Sequence, residues 1–335
     1  MVLGLGIDRE TARRPAYMMA GWHLFMQHPL QRFLLPRVGA FSVYREGTDR
    51  VALEYATGIL ARADGPLSMF PEGYVSHCND RLAPLMDGVA FIARRAAKRR
   101  RDEGRNAGVV IQPTFIRYFF DGDLKQAVDP VLGEIEARLS WQKQAHRSLV
   151  ERVERLGEAL LAQREIEHLG AAGSGDPGKR VAVLIEHMLS SLESEWSVPA
   201  GSRALMERVR HLRRVLLADM INGSALSESE RQRRWFQLRT LYQVQNLSCR
   251  PENYLGNEAS AERILVVVDR FEEDLTDSNR PHPPRRAVIF FGEPLEAEPK
   301  RPRGIGGDPL TGQLRESLEG LLQESLVWKQ QGGKA

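Results

Sequence analysis

The apolar run Ala287-Val288-Ile289-Phe290-Phe291 constrains the fold of this chain more than any other segment. Its β-branched and aromatic composition is typical of a strand, but it follows a long stretch of helical pattern at residues 121–284. A lone strand cannot satisfy its backbone N–H and C=O groups. We therefore expect it to join a sheet formed by the first part of the chain, with the helical stretch inserted between the two.

The first part of the chain alternates strand-like and helical pieces. The patterns predict strands at residues 39–45, 67–70 and 108–116, and helices at residues 49–63 and 85–101. Residues 14–25 are mixed, with several apolar residues at helix-like spacing. Strands that alternate with helices favour a mostly parallel sheet covered by helices. The predicted fold class is therefore α/β: a mostly parallel sheet with flanking helices, interrupted by a large α-helical insertion.

The middle of the chain shows a helical pattern with little strand signal. Apolar residues follow a three-four spacing from Leu132 to Leu160, and a Gly-rich linker at residues 170–178 separates them from further helices. The helices predicted beyond this linker span residues 181–194, 203–221, 228–245, 258–275 and 314–326. The predicted domains are an α/β core at 1–120, a helical insertion at 121–284, the rest of the core at 285–327, and a tail at 328–335.

Composition excludes few classes of protein. The 335 residues carry 47 Lys and Arg against 44 Asp and Glu, and this small excess does not by itself indicate nucleic acid. The two cysteines, Cys78 and Cys249, have neither a metal-ligand spacing nor a disulfide framework. No apolar run reaches the roughly 18 residues of a membrane-spanning helix, and no signal peptide is visible.

The segment Phe70-Pro71-Glu72-Gly73 is the first candidate site. Proline ends a strand because it cannot donate to a ladder, and glycine permits a positive φ or a close approach to a ligand. Between them Glu72 places a carboxylate at a strand-to-helix junction, and open α/β sheets bind ligands at such carboxyl ends. The alternative is a turn whose Pro and Gly serve only its geometry.

Arg45 ends the predicted strand at residues 39–45. A guanidinium binds phosphate through two parallel charge-assisted hydrogen bonds, so Arg45 is a candidate phosphate ligand. The alternative is a surface ion pair between Arg45 and the neighbouring Glu46.

Taken together, these blocks resemble the phospholipid/glycerol acyltransferase family, of the 1-acylglycerol-3-phosphate acyltransferase type. The resemblance is carried by the block that ends at Arg45, by residues 70–73, by the strand that contains Pro113, and by Gly292-Glu293-Pro294. It covers residues 1–120 and 285–327 and skips the helical block.

The resemblance implies an activity: transfer of a fatty acyl group from acyl-CoA or acyl carrier protein to a (lyso)phospholipid or glycerol-type hydroxyl in lipid biosynthesis. It implies no metal and no cofactor beyond that acyl donor. Arg45 would bind the acceptor's phosphate, and Glu72 would order the pocket or contact the acceptor. Phe70, Pro71 and Gly73 would complete the substrate-binding block. The family's base is the His of a His-x-x-x-x-Asp motif, which takes the hydroxyl proton.

The chain departs from the family at that motif. None of its eight histidines has Asp five residues later. In the family the motif precedes the segment that residues 1–25 resemble, so we expect a true N-terminus upstream and an inactive chain as given. After Gly73 the chain has Tyr74-Val75-Ser76 where the family often has Thr-Arg-Ser. The missing Arg weakens the case for glycerol 3-phosphate acceptors. The adjacent His77 and Cys78 do not make a nucleophile pair, because neighbouring side chains diverge.

A basic run closes the helix predicted at residues 85–101. Its cations suit a helix C-terminus, an anionic membrane surface or the phosphates of CoA. The run comprises Arg94, Arg95, Lys98, Arg99, Arg100 and Arg101. We expect a cytoplasmic protein that is peripheral at the inner membrane face. The apolar stretch at residues 18–35 fits a core helix better than a membrane interface.

Two other functions remain open. One is a non-catalytic, lipid-associated scaffold whose helical block binds a partner. The other, nucleic-acid binding through the basic run, is weaker because no set of stacking aromatic residues accompanies it.

Overall fold

The computed structural model describes residues 16–76, 78–105, 108–139, 141–199, 201, 203–221, 226–249, 259–276, 278, 280–301 and 307–330. Helix makes up 59% and strand 10% of these described residues, which confirms a mixed α/β class with a helical insertion. Contacts divide the chain into two compact units. The first comprises Met1–Val75, Asp80–Arg117 and Ile289–Ala335, and the second Ser76–Asn79 and Tyr118–Val288. Compact contact units do not show which segments fold on their own, so the predicted domain limits stay predictions.

A three-stranded parallel sheet lies in the first unit. Strand β1 (Tyr17–Gly21) is central, between β2 (Ala40–Val43) and β3 (Leu67–Ser68). Met18 lies opposite Ala40, and Tyr17 lies opposite Leu67. The helix-like spacing noted at residues 14–25 was therefore misleading where the structure describes it. A strand that is apolar on both faces has no alternation to distinguish it from a helix.

Helices connect these strands and cover the sheet. A 3₁₀ turn (Trp22–Phe25) and α1 (Pro29–Arg37) follow β1, and α2 (Arg50–Arg62) follows β2. The α3 helix (Gly88–Asp102) packs against α2. Asp49 caps α2, because its Oδ1 accepts from the N–H of Ala52 at 2.9 Å.

The remaining strands pair across the insertion. Strand β4 (Val110–Ile111) is antiparallel to β7 (Leu295–Glu296), and β5 (Thr114–Phe120) pairs with β6 (Arg285–Phe291). The N–H of Gly292 donates to Pro113 O at 3.0 Å, and the N–H of Asp121 donates to Pro284 O at 3.1 Å. These two bonds, at opposite ends of the pair, make β5 and β6 antiparallel.

The strand predicted at residues 286–291 is present as β6 and pairs with β5 from the first part of the chain, but the two form a separate two-stranded sheet and do not join the parallel sheet. Parallel pairing is limited to β1, β2 and β3 within the described residues, so the parallel sheet is smaller than predicted. The predicted strand at residues 108–116 is two strands, because Pro113 lacks the N–H that would continue the ladder. The last described helix of the first unit is α10 (Pro309–Gln330).

Helices build the second unit around two apolar clusters. One cluster joins α4 (Leu124–Arg138), α5 (Leu149–Leu169) and α9 (Ala261–Thr276). The other joins the end of α5 to α6 (Pro177–Glu195), α7 (Leu205–Ile221) and α8 (Glu228–Ser248).

A buried charge network ties α5 to α4. The Arg152 Nε lies 2.8 Å from Glu136 Oε1, and the same guanidinium pairs with Asp129. Arg152 and Glu136 are both fully buried. Loss of either partner would leave the other charge buried and unpaired, which is strongly destabilising.

A second buried ion pair ties α3 to the start of α10. Arg94 Nη2 lies 2.9 Å from Asp308 Oδ1, and the side chains are 11% and 6% exposed. The same carboxylate accepts the N–H of Leu310 at 2.9 Å. Burial raises the pKa of Asp308, but the hydrogen bonds from Arg94 and Leu310 outweigh burial and hold that pKa below its usual value of 3.8.

We expect Asp308→Asn to lower the free energy of unfolding at neutral pH by about 1–3 kcal/mol, because a charged hydrogen-bond acceptor is lost. The folded-state pKa lies below the unfolded one. The contribution of Asp308 is therefore complete above a pH of about 4 and is lost as pH falls through the folded pKa. Urea unfolding at a series of pH values should show the two proteins converging in acid.

Asp64→Asn is the matched control, since Asp64 pairs with Arg62 at the surface. Such exposed pairs contribute at most about 1 kcal/mol. A difference between wild type and Asp308→Asn that stays constant down to strongly acidic pH would contradict the assignment.

Candidate functional site

Three segments leave the parallel sheet at one edge, which we call the carboxyl edge because β1, β2 and β3 all end there. His23 lies just beyond β1, Arg45 lies two residues beyond β2, and Phe70 lies two residues beyond β3. The carboxyl edge of a parallel sheet is where α/β proteins place their ligands.

Arg45 bridges two of these segments. Its Nη1 donates to Gly73 O at 2.7 Å, which joins the end of β2 to the loop after β3. Within the described residues no carboxylate forms an ion pair with Arg45. The described part of the chain therefore leaves the positive charge of Arg45 without a neutralising carboxylate.

The predicted block at residues 70–73 forms a tight turn after β3. The N–H of Gly73 donates to Phe70 O at 3.1 Å, and Pro71 O accepts from the N–H of Met86 at 2.8 Å. Gly73 has a φ of +74°, and an added Cβ would collide with Met86 Sδ. Glycine is required here both for the backbone conformation and for the close approach. Phe70 points outward and is exposed.

Glu72 holds the backbone of the loop that follows. Its Oε1 accepts from the N–H of Ala83 at 2.8 Å. Arg315 Nη1 donates to the carbonyl oxygen of Ala83 at 3.3 Å. Beside this point is an open groove of about 550 Å³. The groove is lined by Asp80, Arg81, Leu82, Glu319, Gly320, Leu322 and Gln323. Glu72 thus fixes one wall of the groove.

His23 is a site residue that sequence reasoning missed. A Cβ added to Gly21 would lie 2.7 Å from His23 Cε1 and 2.9 Å from Arg45 Nη2. The imidazole and the guanidinium therefore converge above the bare backbone of Gly21. The criterion of an Asp five residues after a His depends on sequence alone and does not consider where the His lies in the fold. The position of His23, two residues beyond β1, would have indicated a place at the carboxyl edge. The sequence pattern did not identify β1 as a strand.

The two late blocks of the resemblance also meet. The N–H of Gly292 donates to Pro113 O at 3.0 Å, and Gln112 Nε2 donates to Gly292 O at 2.6 Å. An added Cβ at Gly292 would lie 2.6 Å from Ser317 Oγ. Gly292 therefore permits the strand to pass close to α10.

The basic run of α3 is partly committed to the fold. Besides Asp308, Arg94 binds the carbonyls of Glu298 and Lys300 at 2.9 and 3.0 Å. Arg100 is buried and donates to Ala61 O at 3.0 Å. These two cations do not form part of an exposed surface.

The other four cations of the run are exposed. Arg95 and Arg99 both bind Glu54, each at 2.7 Å, so their charge is partly neutralised. Lys98 and Arg101 complete the exposed set. The predicted contact with an anionic membrane stays a prediction, and it can involve only these four side chains.

Two further sequence features can be placed. Cys78 Sγ lies 3.5 Å from Cys249 O, although 171 residues separate the two. His77 lies outside the described residues, so the prediction that it does not pair with Cys78 has no structural outcome.

Within the described residues, neither a cluster of metal-ligating side chains nor a membrane-spanning helix is present. Among the residues whose placement the structure describes, no three His, Cys, Asp or Glu side chains cluster as metal ligands would. No helix in this described portion has both the length and the hydropathy needed to cross a bilayer.

Comparison with known proteins adds one finding. No curated protein and no solved structure matches the chain significantly. The model of the family described as Acyltransferase matches residues 1–117, the segment that carries His23, Arg45 and the Phe70 to Gly73 block. The resemblance drawn from the sequence is confirmed at this level: residues 1–117 are similar to the Acyltransferase family.

Proposed function

We propose that this chain binds a phosphate-bearing lipid acceptor at its carboxyl edge for transfer of a fatty acyl group. The observation that carries the proposal is Arg45. Its guanidinium lies at the end of β2 in a segment matched by the Acyltransferase family, and no described carboxylate neutralises it. An Arg held in this way presents its remaining N–H groups to an anion, and the guanidinium fork fits both phosphate and carboxylate oxygens. The similarity to acyltransferases favours phosphate.

The reaction needs an acceptor hydroxyl, an acyl thioester and a base. The hydroxyl oxygen attacks the thioester carbonyl carbon while the base takes its proton. The carbon–sulfur bond then breaks, and the thiolate of CoA or acyl carrier protein leaves and takes up a proton. Arg45 would anchor the acceptor's phosphate, with the His23 imidazole beside it as a second hydrogen-bonding group.

Glu72 is assigned a positioning role. Its carboxylate oxygen is engaged by the N–H of Ala83, so it holds the loop and the groove wall beside the acceptor. We expect the acyl donor to be acyl-CoA or acyl carrier protein, and the site of action to be the cytoplasmic face of a membrane in lipid biosynthesis.

The base is not assigned to any residue. No His in the 335 residues is followed by Asp five positions later, so the family's motif is absent from this sequence. A non-catalytic, lipid-associated scaffold would share this absence and would also keep the acceptor site. Binding and turnover are therefore tested separately.

Arg45→Ala should raise the dissociation constant for a short-chain lysophosphatidic acid about ten- to hundredfold, because one charged hydrogen-bonding group contributes about 1.5–3 kcal/mol. Isothermal titration calorimetry below the micelle concentration measures it. Arg45→Lys should recover part of the affinity, since it keeps the charge but loses the fork.

Arg62→Ala is the control for that measurement, because Arg62 is exposed on α2 and pairs with Asp64. The monoacylglycerol with the same chain lacks the phosphate and should bind the wild type and Arg45→Ala equally weakly. Equal affinity of wild type and Arg45→Ala for lysophosphatidic acid would remove the phosphate-binding role.

Gly21→Ala should weaken the same binding without unfolding the protein. The new methyl group would lie within 3 Å of both His23 Cε1 and Arg45 Nη2, so the imidazole and the guanidinium must separate. Gly88→Ala is the matched control, because an added Cβ there meets nothing within 4 Å. Calorimetry measures the affinity of both variants for lysophosphatidic acid, and circular dichroism shows whether they are folded. Unchanged affinity in Gly21→Ala would show that the approach of His23 to Arg45 has no part in binding.

Release of CoA from palmitoyl-CoA with lysophosphatidic acid tests the chemistry. We expect the 335-residue chain to release CoA no faster than its Arg45→Ala and Glu72→Ala variants, because the family's base is missing. Turnover that both substitutions abolish would place the chemistry at this site, and His23→Ala would then test whether the base is that imidazole or the Glu72 carboxylate. Turnover that survives both substitutions would overturn the proposed site.

A further inference from the structure

One helix of the first unit exposes an apolar face to solvent. Helix α1 carries Leu30, Phe33 and Leu34, which are 57%, 54% and 45% exposed, and Met26 and Val38 on either side of it are 69% and 67% exposed. We call these five side chains the α1 face. The three- and four-residue spacing of Leu30, Phe33 and Leu34 places these side chains on one side of α1, while Met26 precedes the helix and Val38 ends it. The sequence had favoured a core helix for this stretch, and that expectation was wrong.

The surroundings of the α1 face are cationic. Residues 16–45 contain three Arg and two His and no Asp or Glu. The Arg37 guanidinium lies 3.4 Å from the centre of the Phe33 ring, and its Nη1 donates to Phe33 O at 2.6 Å. The aliphatic stem of Arg37 therefore runs along the apolar face while its charge stays at the surface, as in side chains at a lipid interface.

This charge pattern selects among possible occupants. A second copy of the chain would bring one cationic segment, residues 16–45, against another, which like charges oppose. An anionic phospholipid surface offers both partners at once: acyl chains for the apolar stripe and phosphates for Arg32 and Arg37. Helices with an apolar face and basic flanks bind at the boundary between headgroups and acyl chains.

The α1 face also lies close to the candidate site in the chain. Met26 directly follows the 3₁₀ turn that leaves β1 at the carboxyl edge, and α1 packs against this turn and β2. After β3, the loop at the same edge exposes Phe70 and Val75. Exposed apolar side chains therefore flank the edge at which Arg45 and His23 converge.

We propose that the α1 face docks the protein on an anionic phospholipid bilayer and brings the carboxyl edge to the level of the lipid headgroups. Access of the carboxyl edge to an acceptor lipid in the membrane rests on the proposed function. Binding of the α1 face to the bilayer does not. The membrane contact is thereby placed on α1 rather than on the basic run of α3.

Sedimentation with vesicles of equal amounts of phosphatidylglycerol and phosphatidylcholine tests this docking. The triple variant Leu30→Gln/Phe33→Gln/Leu34→Gln should lower the vesicle partition coefficient at least about tenfold, because much of the apolar contact area is removed. Arg32→Gln/Arg37→Gln should weaken binding to these vesicles and leave binding to pure phosphatidylcholine unchanged.

Val51→Gln/Ile166→Gln/Val183→Gln is the matched control, since it changes three other exposed apolar residues in the same way. Circular dichroism establishes that both triple variants stay folded. Vesicle binding that the α1 variant retains would overturn the proposal, and so would binding lost only in Lys98→Gln/Arg101→Gln, which would move the contact to α3. A wild-type dimer in gel filtration that becomes monomeric in the α1 variant would show that a second copy covers the face.

The proposal of membrane docking and the proposal of acceptor binding can be refuted independently of each other. If Arg45→Ala binds lysophosphatidic acid as the wild type does but the α1 variant loses vesicle binding, the proposed function fails and the docking surface stands. If the wild type binds no vesicles yet still requires Arg45 for lysophosphatidic acid, the docking surface fails alone.

Discussion

The parallel register of β1 with β2 and β3 is the constraint on which the candidate site depends. Because the three strands run in one direction, the segments that follow them leave at the same edge. Only then can Arg45, after one strand, donate to Gly73, after another. A single reversed strand would send one of these segments to the opposite edge, and the convergence above Gly21 would not exist.

Much of the fold could be predicted from residue patterns. The α/β class, the helical insertion and the strand at Arg285–Phe291 follow from composition and periodicity, and they are present. Two local predictions failed for physical reasons. Strand β1 is apolar on both faces and so lacks the alternation that marks a half-buried strand. Pro113 was placed inside one strand, although it cannot continue a ladder and divides the segment into β4 and β5.

The candidate site was only partly accessible from the sequence. Arg45 and Glu72 stand at the ends of predicted strands, so their location at the carboxyl edge could be anticipated. The approach of His23 depends on a strand that was not recognised and on the missing side chain of Gly21. The basic run illustrates a different limit. Periodicity alone cannot tell which cations of α3 face the interior, and Arg94 and Arg100 proved to be structural.

The hydrogen bond between Asp121 and Pro284 determines how much entropy the chain loses in connecting β5 to β6. The end of β5 and the start of β6 are joined by this hydrogen bond. The helical segment between Asp121 and Pro284 is therefore equivalent to a closed loop that connects two paired strands. The entropy cost of closing a loop grows only with the logarithm of its length. By this measure the long connection costs roughly 4 kcal/mol more to close than a short turn would, and burial in the two apolar clusters of the second unit offsets that cost.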